Sequence, residues 1–176
     1  METITTAQTA WLASVQIRHM VEDDLSSLEW DGEYAHFRRV YQAAFERFQR
    51  GLSVLWVAEL PDSRVIGQVF IQLICDRPEL ADGTNRAYLY SFRVRPEYRS
   101  AGLGTRIMQV IFDDLRRRGF RSLTLNVAKD NPRARKLYER NHFRIVDSEP
   151  GHWTYQDEKG AWQTVEEPAW RMERHL

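Results

Sequence analysis

The amino-acid sequence predicts an α/β fold in which helices cover both faces of a mixed sheet. Two early strands are joined by a short turn, which makes them antiparallel, whereas helices separate later strands and allow parallel pairing. The chain has 176 residues, of which 43% are hydrophobic, enough for one domain with a buried core. We therefore expect a single domain over residues 1–176, with its core at about residues 15–174.

The first predicted elements are a short strand and two helical segments. Residues 15–18 alternate apolar and polar side chains, as a half-buried strand does. Glu22, Asp23 and Asp24 indicate a helix start, because carboxylates are favoured at the positive end of the helix dipole. Residues 34–50 predict one long helix that ends at Gly51. Its apolar stripe, at helical spacing, consists of Phe37, Val40, Tyr41, Ala44, Phe45 and Phe48.

The middle of the chain predicts three strands. Residues 54–60 and 65–74 are rich in β-branched side chains, and the turn-forming residues 61–64 between them indicate a hairpin. Residues 76–86 are polar and contain Pro78 and Gly83, which is typical of a loop. The next strand, residues 87–95, cannot place Leu89 and Phe92 on one face if it is regular. One extra residue, a β-bulge, would place them together.

The second half alternates helices and strands. Residues 104–118 predict a helix that ends at Gly119, and residues 123–127 predict a strand. Asn131 and Pro132 favour an N-cap and first turn of a helix that ends near Asn141, followed by a strand at 143–146. The tail predicts a hairpin across residues 157–160 and a last strand at 169–173.

Charge and cysteine content narrow the functional classes. Lys plus Arg and Asp plus Glu both number 25, so the net charge is zero, which disfavours a nucleic-acid partner. The single cysteine, Cys75, ends an apolar run and is interpreted as a structural thiol in a reducing compartment. Residues 1–13 lack the features of a leader, and no apolar run reaches the roughly 18 residues of a membrane span. We expect a cytoplasmic protein without a membrane partner.

A glycine-rich turn after the predicted strand is the strongest local motif. It reads Arg99, Ser100, Ala101, Gly102, Leu103, Gly104 and Thr105, and a helix follows. Backbone N–H groups at a helix start lack intrahelical partners, so such a turn binds phosphate, and glycines allow close approach. The nucleotide motifs do not match, because no Lys follows in the P-loop pattern and position 107 is Ile where the dinucleotide pattern needs glycine. A tight turn without a ligand remains the alternative.

Two segments together point to a family. The first reads Phe92, Arg93, Val94, Arg95, Pro96, Glu97, Tyr98 and then the glycine-rich turn; the second reads Asn131, Pro132, Arg133, Ala134, Arg135, Lys136, Leu137, Tyr138, Glu139, Arg140, Asn141, His142 and Phe143. They resemble the two signature blocks of the GNAT N-acetyltransferase superfamily, and the order of elements agrees over about residues 15–174. His142 stands where the family usually has Gly, and we expect Asn141 or His142 to take a left-handed backbone conformation there.

This resemblance implies a mixed, mostly antiparallel sheet of about seven strands, splayed between strands 4 and 5. It implies acetyl-CoA as cosubstrate, with the pantetheine arm in the splay along Phe92, Arg93 and Val94. The pyrophosphate would lie on the amides of about Ser100 to Thr105, including Ala101, Gly102, Leu103 and Gly104, beside Arg99. Asn131 and Ala134 would contact the cofactor arm, although Asn131 also fits a simple N-cap. No metal is implied.

The resemblance makes Tyr138 the candidate general acid for the leaving thiolate, or else a tyrosine packed on a helix face. We expect direct transfer to a primary amine of a small molecule or peptide in a ternary complex. A non-catalytic acyl-CoA-binding sensor of the same fold is the alternative. The general base stays unassigned among Glu33, Glu59, Asp76, Tyr90, His152 and water.

Tryptophans cluster towards the two ends of the chain, and four of the six are Trp11, Trp153, Trp162 and Trp170. Large aromatic side chains serve binding pockets, interfaces and cores alike. An aromatic acceptor pocket, a homodimer interface and packing against the sheet therefore remain open.

Overall fold

A computed structural model describes residues 10–176; residues 1–9, which belong to the stretch predicted to lack a leader, lie outside the described part. The strands are β1 (Gln16–His19), β2 (Ser53–Glu59), β3 (Val65–Gln72), β4 (Arg86–Val94), β5 (Ser122–Ala128), β6 (Arg144–Glu149), β7 (His152–Gln156), β8 (Trp162–Glu166) and β9 (Ala169–His175). The α-helices are α1 (Arg38–Gln49), α2 (Leu103–Arg117) and α3 (Pro132–Arg140). The predicted elements are therefore present, with shifted ends.

Seven strands form one sheet in the order β1-β2-β3-β4-β5-β9-β6, and β7 and β8 form a separate hairpin. All neighbouring pairs are antiparallel except β4 and β5, which are parallel. This confirms the predicted mixed, mostly antiparallel sheet. The last strand, β9, lies between β5 and β6. Its place inside the sheet follows from pairing between segments that are far apart in sequence, which local sequence patterns do not reveal.

Two apolar cores lie on opposite faces of the sheet. On one face, Ile107, Ile111 and Leu115 of α2 pack with Val54 and Leu125 of the strands. The other core holds Tyr41, Ala44 and Phe45 of α1 against Leu55, Val57 and Phe70. Alternate residues of β2 thus belong to different cores, as the two-residue period of a strand requires. Helices therefore cover both faces of the sheet.

The long helix predicted over residues 34–50 is interrupted. A 3-10 helix at Ala35–Phe37 precedes α1, and an earlier 3-10 helix spans Glu22–Gly32. Within the earlier segment, Trp30 and Asp31 have left-handed φ angles of 46° and 58°. Such angles are rare for residues other than glycine, and they break the helical path there. Helical spacing alone did not predict that residues 34–50 change from a 3-10 helix to an α-helix at Arg38, because 3-10 and α-helical turns carry similar apolar patterns.

The bulge predicted in β4 is present. Gln68 and Phe70 of β3 face Arg93 and Tyr90 of β4, so β4 has one more residue than β3 in this stretch. Ser91 lies within it and has a φ angle of 51°. The extra residue changes which side chains of β4 share a face on either side of the bulge.

Candidate active site

The site lies where β4 and β5 separate. The two strands pair only from Arg86 opposite Ser122 to Leu89 opposite Leu125. Beyond this point β4 pairs only with β3, and β5 continues against β9. One edge of β4 is therefore open from Tyr90 onward, which agrees with the splay implied by the family resemblance.

Phe92 and Val94 direct their backbone groups into this opening. The Arg95 N–H donates to the Ile66 carbonyl at 2.8 Å, so Arg95 belongs to a hydrogen-bonded pair with β3. Hydrogen-bonded and non-hydrogen-bonded pairs alternate along an antiparallel ladder. The backbone groups of Val94, and two residues earlier those of Phe92, therefore point to the edge of β4 away from β3. Accordingly, the Val94 carbonyl accepts a bond from Arg99 Nε at 2.7 Å. Arg93 differs, because it faces Gln68 in the β3 register.

The glycine-rich turn forms the start of α2. Gly102 is the N-cap with a φ angle of 95°, and Ser100 has a φ angle of 61°. The first helical N–H to find a backbone acceptor is that of Arg106, which donates to the Gly102 carbonyl at 3.0 Å. The three preceding N–H groups, of residues 103–105, therefore remain available at the positive end of the helix dipole. These donors suit an anionic group.

Positive charge surrounds this turn. Arg133, at the start of α3, donates from Nη2 to Ser100 Oγ at 3.0 Å. Arg99 lies in the turn itself and is exposed. Gly104 is different from Gly102: its φ angle is not in the left-handed region, and an added Cβ would lie 3.3 Å from Leu137 Cδ2. The structure thus gives Gly104 a role in packing α2 against α3.

Tyr138 of α3 is buried, with 7% of its surface exposed. Its ring packs edge-on to Phe143 at 5.8 Å. Burial raises the pKa of the Tyr138 hydroxyl far above its usual range, and the Tyr88 hydroxyl on β4 adds to this rise. Within residues 10–176 no side chain or backbone group forms a hydrogen bond with this hydroxyl. The hydroxyl is therefore a donor without a partner among the described residues, and the neighbouring Tyr88 lies two residues before the opening begins along β4.

Asn131 is the N-cap of α3, and its Oδ1 accepts from the Ala134 N–H at 3.1 Å. The capping interpretation is thus confirmed, while a contact of Asn131 or Ala134 with the cofactor stays a prediction. His142 has a φ angle of 65° and is the left-handed residue expected after α3. It lies in the turn before β6 and is exposed.

Of the five side chains considered as general base, only Tyr90 lies on a strand that borders the opening. Burial raises the pKa of Tyr90 to about 12, which disfavours its ionised form near neutral pH. Glu59, on β2, is paired with Arg18 at 2.7 Å, and His152 of β7 is exposed.

The Cys75 thiol is half-buried and donates to the Arg77 carbonyl at 3.2 Å.

Asn126 was not among the residues predicted from sequence. It lies on β5, one residue past the last pair with β4, and its Oδ1 is buried without a hydrogen-bond partner among the described residues. An unpartnered buried acceptor beside the opening is available for a ligand donor. Its amide side chain between Leu125 and Val127 was the only sequence signal. No three His, Cys, Asp or Glu side chains in the described part lie together as a metal site requires.

The α1 face of the opening carries an aromatic cluster of Tyr34, Phe37, Trp153 and Tyr155. Phe37 lies 5.0 Å from the Tyr155 ring and 6.1 Å from the Trp153 ring, so the hairpin of β7 and β8 rests on the segment before α1. Trp153 remains 39% exposed and Trp162 71% exposed. These tryptophans therefore do not serve mainly as core.

In the described residues, no helix has the length and apolar character needed to cross a bilayer.

Comparison with known proteins identifies the group to which the chain is similar. The model of the acetyltransferase (GNAT) family matches residues 19–143. The uncharacterized N-acetyltransferase YycN of Bacillus subtilis is 27% identical over 134 residues, covering 74% of this chain and 82% of that protein. The crystal structure of Ard1 from Thermoplasma volcanium has a TM-score of 0.70 at 17% identity, covering 93% of this chain and 98% of that one. That of Arabidopsis thaliana NAA60 in complex with acetyl-CoA has a TM-score of 0.69 at 19% identity, with 92% and 98% covered.

Proposed function

The chain belongs to the acetyltransferase (GNAT) family and is an N-acetyltransferase, and we propose that it moves the acetyl group of acetyl-CoA to a primary amine of a small molecule or peptide by direct attack in a ternary complex. The observation that carries the proposal is the opening between β4 and β5, with the unpartnered hydroxyl of Tyr138 beside it. The likeness to NAA60, solved with acetyl-CoA, supports the choice of cosubstrate.

The residues around the opening fit coenzyme A. In the proposal, the free N–H groups of residues 103–105 and the side chains of Arg99 and Arg133 bind the pyrophosphate. The open edge of β4 at Phe92 and Val94 binds the pantetheine arm as an added strand would, and Asn131 and Ala134 border it from α3. Acetyl-CoA supplies the activated acetyl thioester.

The chain's own groups then act on the reacting atoms. In the proposal, the thioester carbonyl of acetyl-CoA lies beside the open edge of β4. A backbone N–H of β4 there polarises this carbonyl as negative charge develops on its oxygen. The Tyr138 hydroxyl donates a hydrogen bond to the departing sulfur. Because burial raises the pKa of Tyr138, complete proton transfer to a thiolate is unfavourable, and stabilisation of the thiolate by hydrogen bonding is its main contribution.

A sensor that binds acyl-CoA without turnover is the second candidate, and Tyr138 discriminates between the two. Tyr138→Phe keeps the ring and removes the hydroxyl. We expect kcat to fall by about 10²-fold, as it does when one hydrogen-bond donor to developing negative charge is lost, with little change in the Kd for coenzyme A. Thiol release from acetyl-CoA and calorimetry with coenzyme A on the same sample measure both quantities. Tyr98→Phe, at a tyrosine outside the proposed site, is the matched control.

An absence of thiol release by the wild type with every amine tested, while coenzyme A still binds, would favour the sensor. Full activity of Tyr138→Phe would remove Tyr138 from the mechanism and leave the proposed reaction intact. Loss of coenzyme A affinity in that variant would assign the hydroxyl to cofactor binding instead.

A further inference from the structure

Arg93 is placed on the α1 face of the sheet by the β4 bulge. Its side chain reaches Tyr41, which belongs to the apolar core on that face. The glycine-rich turn and Tyr138 belong to the elements that pack on the opposite face. The Arg93 guanidinium is therefore separated by the sheet from the positions proposed for the cofactor phosphates.

Buried polar groups hold one side of this guanidinium. Nη1 donates to the Tyr41 hydroxyl at 2.8 Å and to Ser91 Oγ at 3.2 Å. Ser91 Oγ also accepts from Gln68 Nε2 at 3.0 Å. Tyr41 and Gln68 are 2% and 1% exposed, so this support is fixed by packing.

Aromatic faces orient the rest of the group. Arg93 Cζ lies 4.3 Å from the centroid of the Tyr34 ring and 5.3 Å from that of Phe37. Both rings belong to the aromatic cluster beneath the β7–β8 hairpin. Stacking on these faces fixes the plane of the guanidinium, which a carboxylate can then approach edge-on.

Arg93 has no carboxylate partner in the described residues, unlike Arg18 and Arg171. Arg18 is paired with Asp24 and Glu59, and Arg171 with Asp147 and Glu149, although their side chains are also only 25% and 17% exposed. Nε and Nη2 of Arg93 form no hydrogen bond within residues 10–176. Neither atom is among the buried unpartnered atoms, so both reach solvent.

A half-buried cation with two free donors, held in a fixed plane, suits a bidentate carboxylate. We propose that Arg93 binds a carboxylate of the acceptor, so that the substrate class is an amine that also carries a carboxylate. A free amino acid has this chemistry, as does a peptide with an acidic residue near its N-terminus. This inference rests on the proposed function, because it assigns the α1 face of the opening to the acceptor.

The test compares matched amines that differ only in the carboxylate. The pairs are phenylalanine and phenethylamine, leucine and isoamylamine, and tetrapeptide amides that begin with Asp or Asn. Binding to coenzyme A-saturated protein is measured by calorimetry, and transfer by thiol release from acetyl-CoA. We expect the wild type to prefer the carboxylated member by about tenfold or more in Kd and in kcat/KM. The amino-acid and peptide pairs distinguish the two sources of the carboxylate.

Arg93 variants connect the preference to this side chain. Arg93→Gln should lower the ratio within each preferred pair by about tenfold, and Arg93→Glu should reverse it by like-charge repulsion. Arg93→Lys keeps the charge and should retain more of the preference than Arg93→Gln. Arg121→Gln, at an exposed arginine before β5, is the control and should keep the wild-type ratio.

An unchanged ratio in Arg93→Gln, or no binding of any carboxylated probe by the wild type, would overturn the inference. Equal loss in Arg93→Lys and Arg93→Gln together with a lower Tm would also overturn it, in favour of a structural contact with Tyr34 and Phe37. Absence of thiol release with every amine would instead overturn the proposed function. The calorimetric ratios still decide whether Arg93 binds a carboxylate in that case.

Discussion

At the residue scale, the proposed role of one hydroxyl, that of Tyr138, depends on its environment. Tyr138 is buried and its pKa is raised, so it stays protonated over the range in which an amine acceptor titrates. The hydrogen bond proposed from this hydroxyl to the departing thiolate should therefore not depend on pH in that range. Acceptor deprotonation remains the pH-dependent step.

We predict that the ratio of wild-type to Tyr138→Phe kcat stays constant from about pH 6 to pH 10, because the Tyr138 hydroxyl does not ionise there. Both pH–rate profiles should rise together as the amine loses its proton. Thiol release across this range measures the ratio. A ratio that falls towards one between pH 8 and pH 10 would mean that Tyr138 ionises and that its pKa is not raised in the working enzyme.

The turn after α3 gives a second prediction at this scale. His142 has a φ angle of 65° and its side chain makes no hydrogen bond or ion pair among the described residues. Glycine adopts this conformation without the penalty of about 1 kcal/mol that other residues incur. His142→Gly should therefore raise the Tm by about 2–4 °C, measured by thermal unfolding. A lower Tm would show that the imidazole makes a stabilising contact in solution.

At the element scale, the N-terminus of α2 combines a backbone requirement with the anion site that we propose. Gly102 has a φ angle of 95°, and an added Cβ there would meet only Leu12 Cδ2, at 3.9 Å. Its substitution is thus disfavoured by backbone strain more than by a clash. Gly119 ends the same helix with a φ angle of 87° and has nothing within 4 Å of an added Cβ. The two glycines carry similar strain at opposite ends of one element.

We expect Gly102→Ala and Gly119→Ala each to lower the free energy of unfolding by about 1–2 kcal/mol, because both force a left-handed angle on alanine. Only Gly102→Ala should also weaken coenzyme A binding, since the added methyl group lies at the free N–H groups. Urea unfolding and calorimetry measure the two effects separately. Equal coenzyme A affinity in both variants would place the pyrophosphate elsewhere.

At the scale of the whole molecule, packing on the two faces of the sheet reduces the exposure of several tyrosines. Tyr88 and Tyr90 stack at 5.8 Å, and burial raises the pKa of each to about 12. Burial also raises the pKa values of Tyr41 and Tyr138. All four must lose a proton to ionise in the folded state at a pH above that required in the unfolded chain, near pH 10.

We therefore predict that the stability of the fold decreases as the pH rises from about 10 to about 12. A group whose pKa is raised in the folded state contributes fully below its unfolded pKa, and that contribution is lost as the pH approaches the folded value. Urea midpoints at increasing pH measure the effect. A midpoint that does not change over this range would contradict the burial of these hydroxyls in solution.

Ligand binding should act on the whole fold as well. Coenzyme A at about 100 times its Kd should stabilise the native state by about 2.7 kcal/mol, because it binds the folded chain alone. Thermal unfolding with and without the ligand measures the shift in Tm, and Gly119→Ala should show the same shift. The absence of any shift at millimolar coenzyme A would contradict the proposed cofactor.

The sequence by itself determined most of the elements of the fold. Helical spacing predicted α2, the Asn131–Pro132 pair predicted α3, and the conflict between Leu89 and Phe92 predicted the bulge. These features depend on hydrogen bonds and side-chain spacing within a few residues, which the order of amino acids specifies directly.

Only the tertiary structure decided how these elements meet. It inserts β9 between β5 and β6 and lays the β7–β8 hairpin on Phe37. It also turns the Arg93 side chain away from the positions proposed for the cofactor. It also buries Tyr138, which raises the pKa of that hydroxyl. Strand pairing and burial depend on segments far apart in sequence, and their energies arise only when those segments come together. The acceptor binding that we propose at Arg93 therefore depends on the assembled fold.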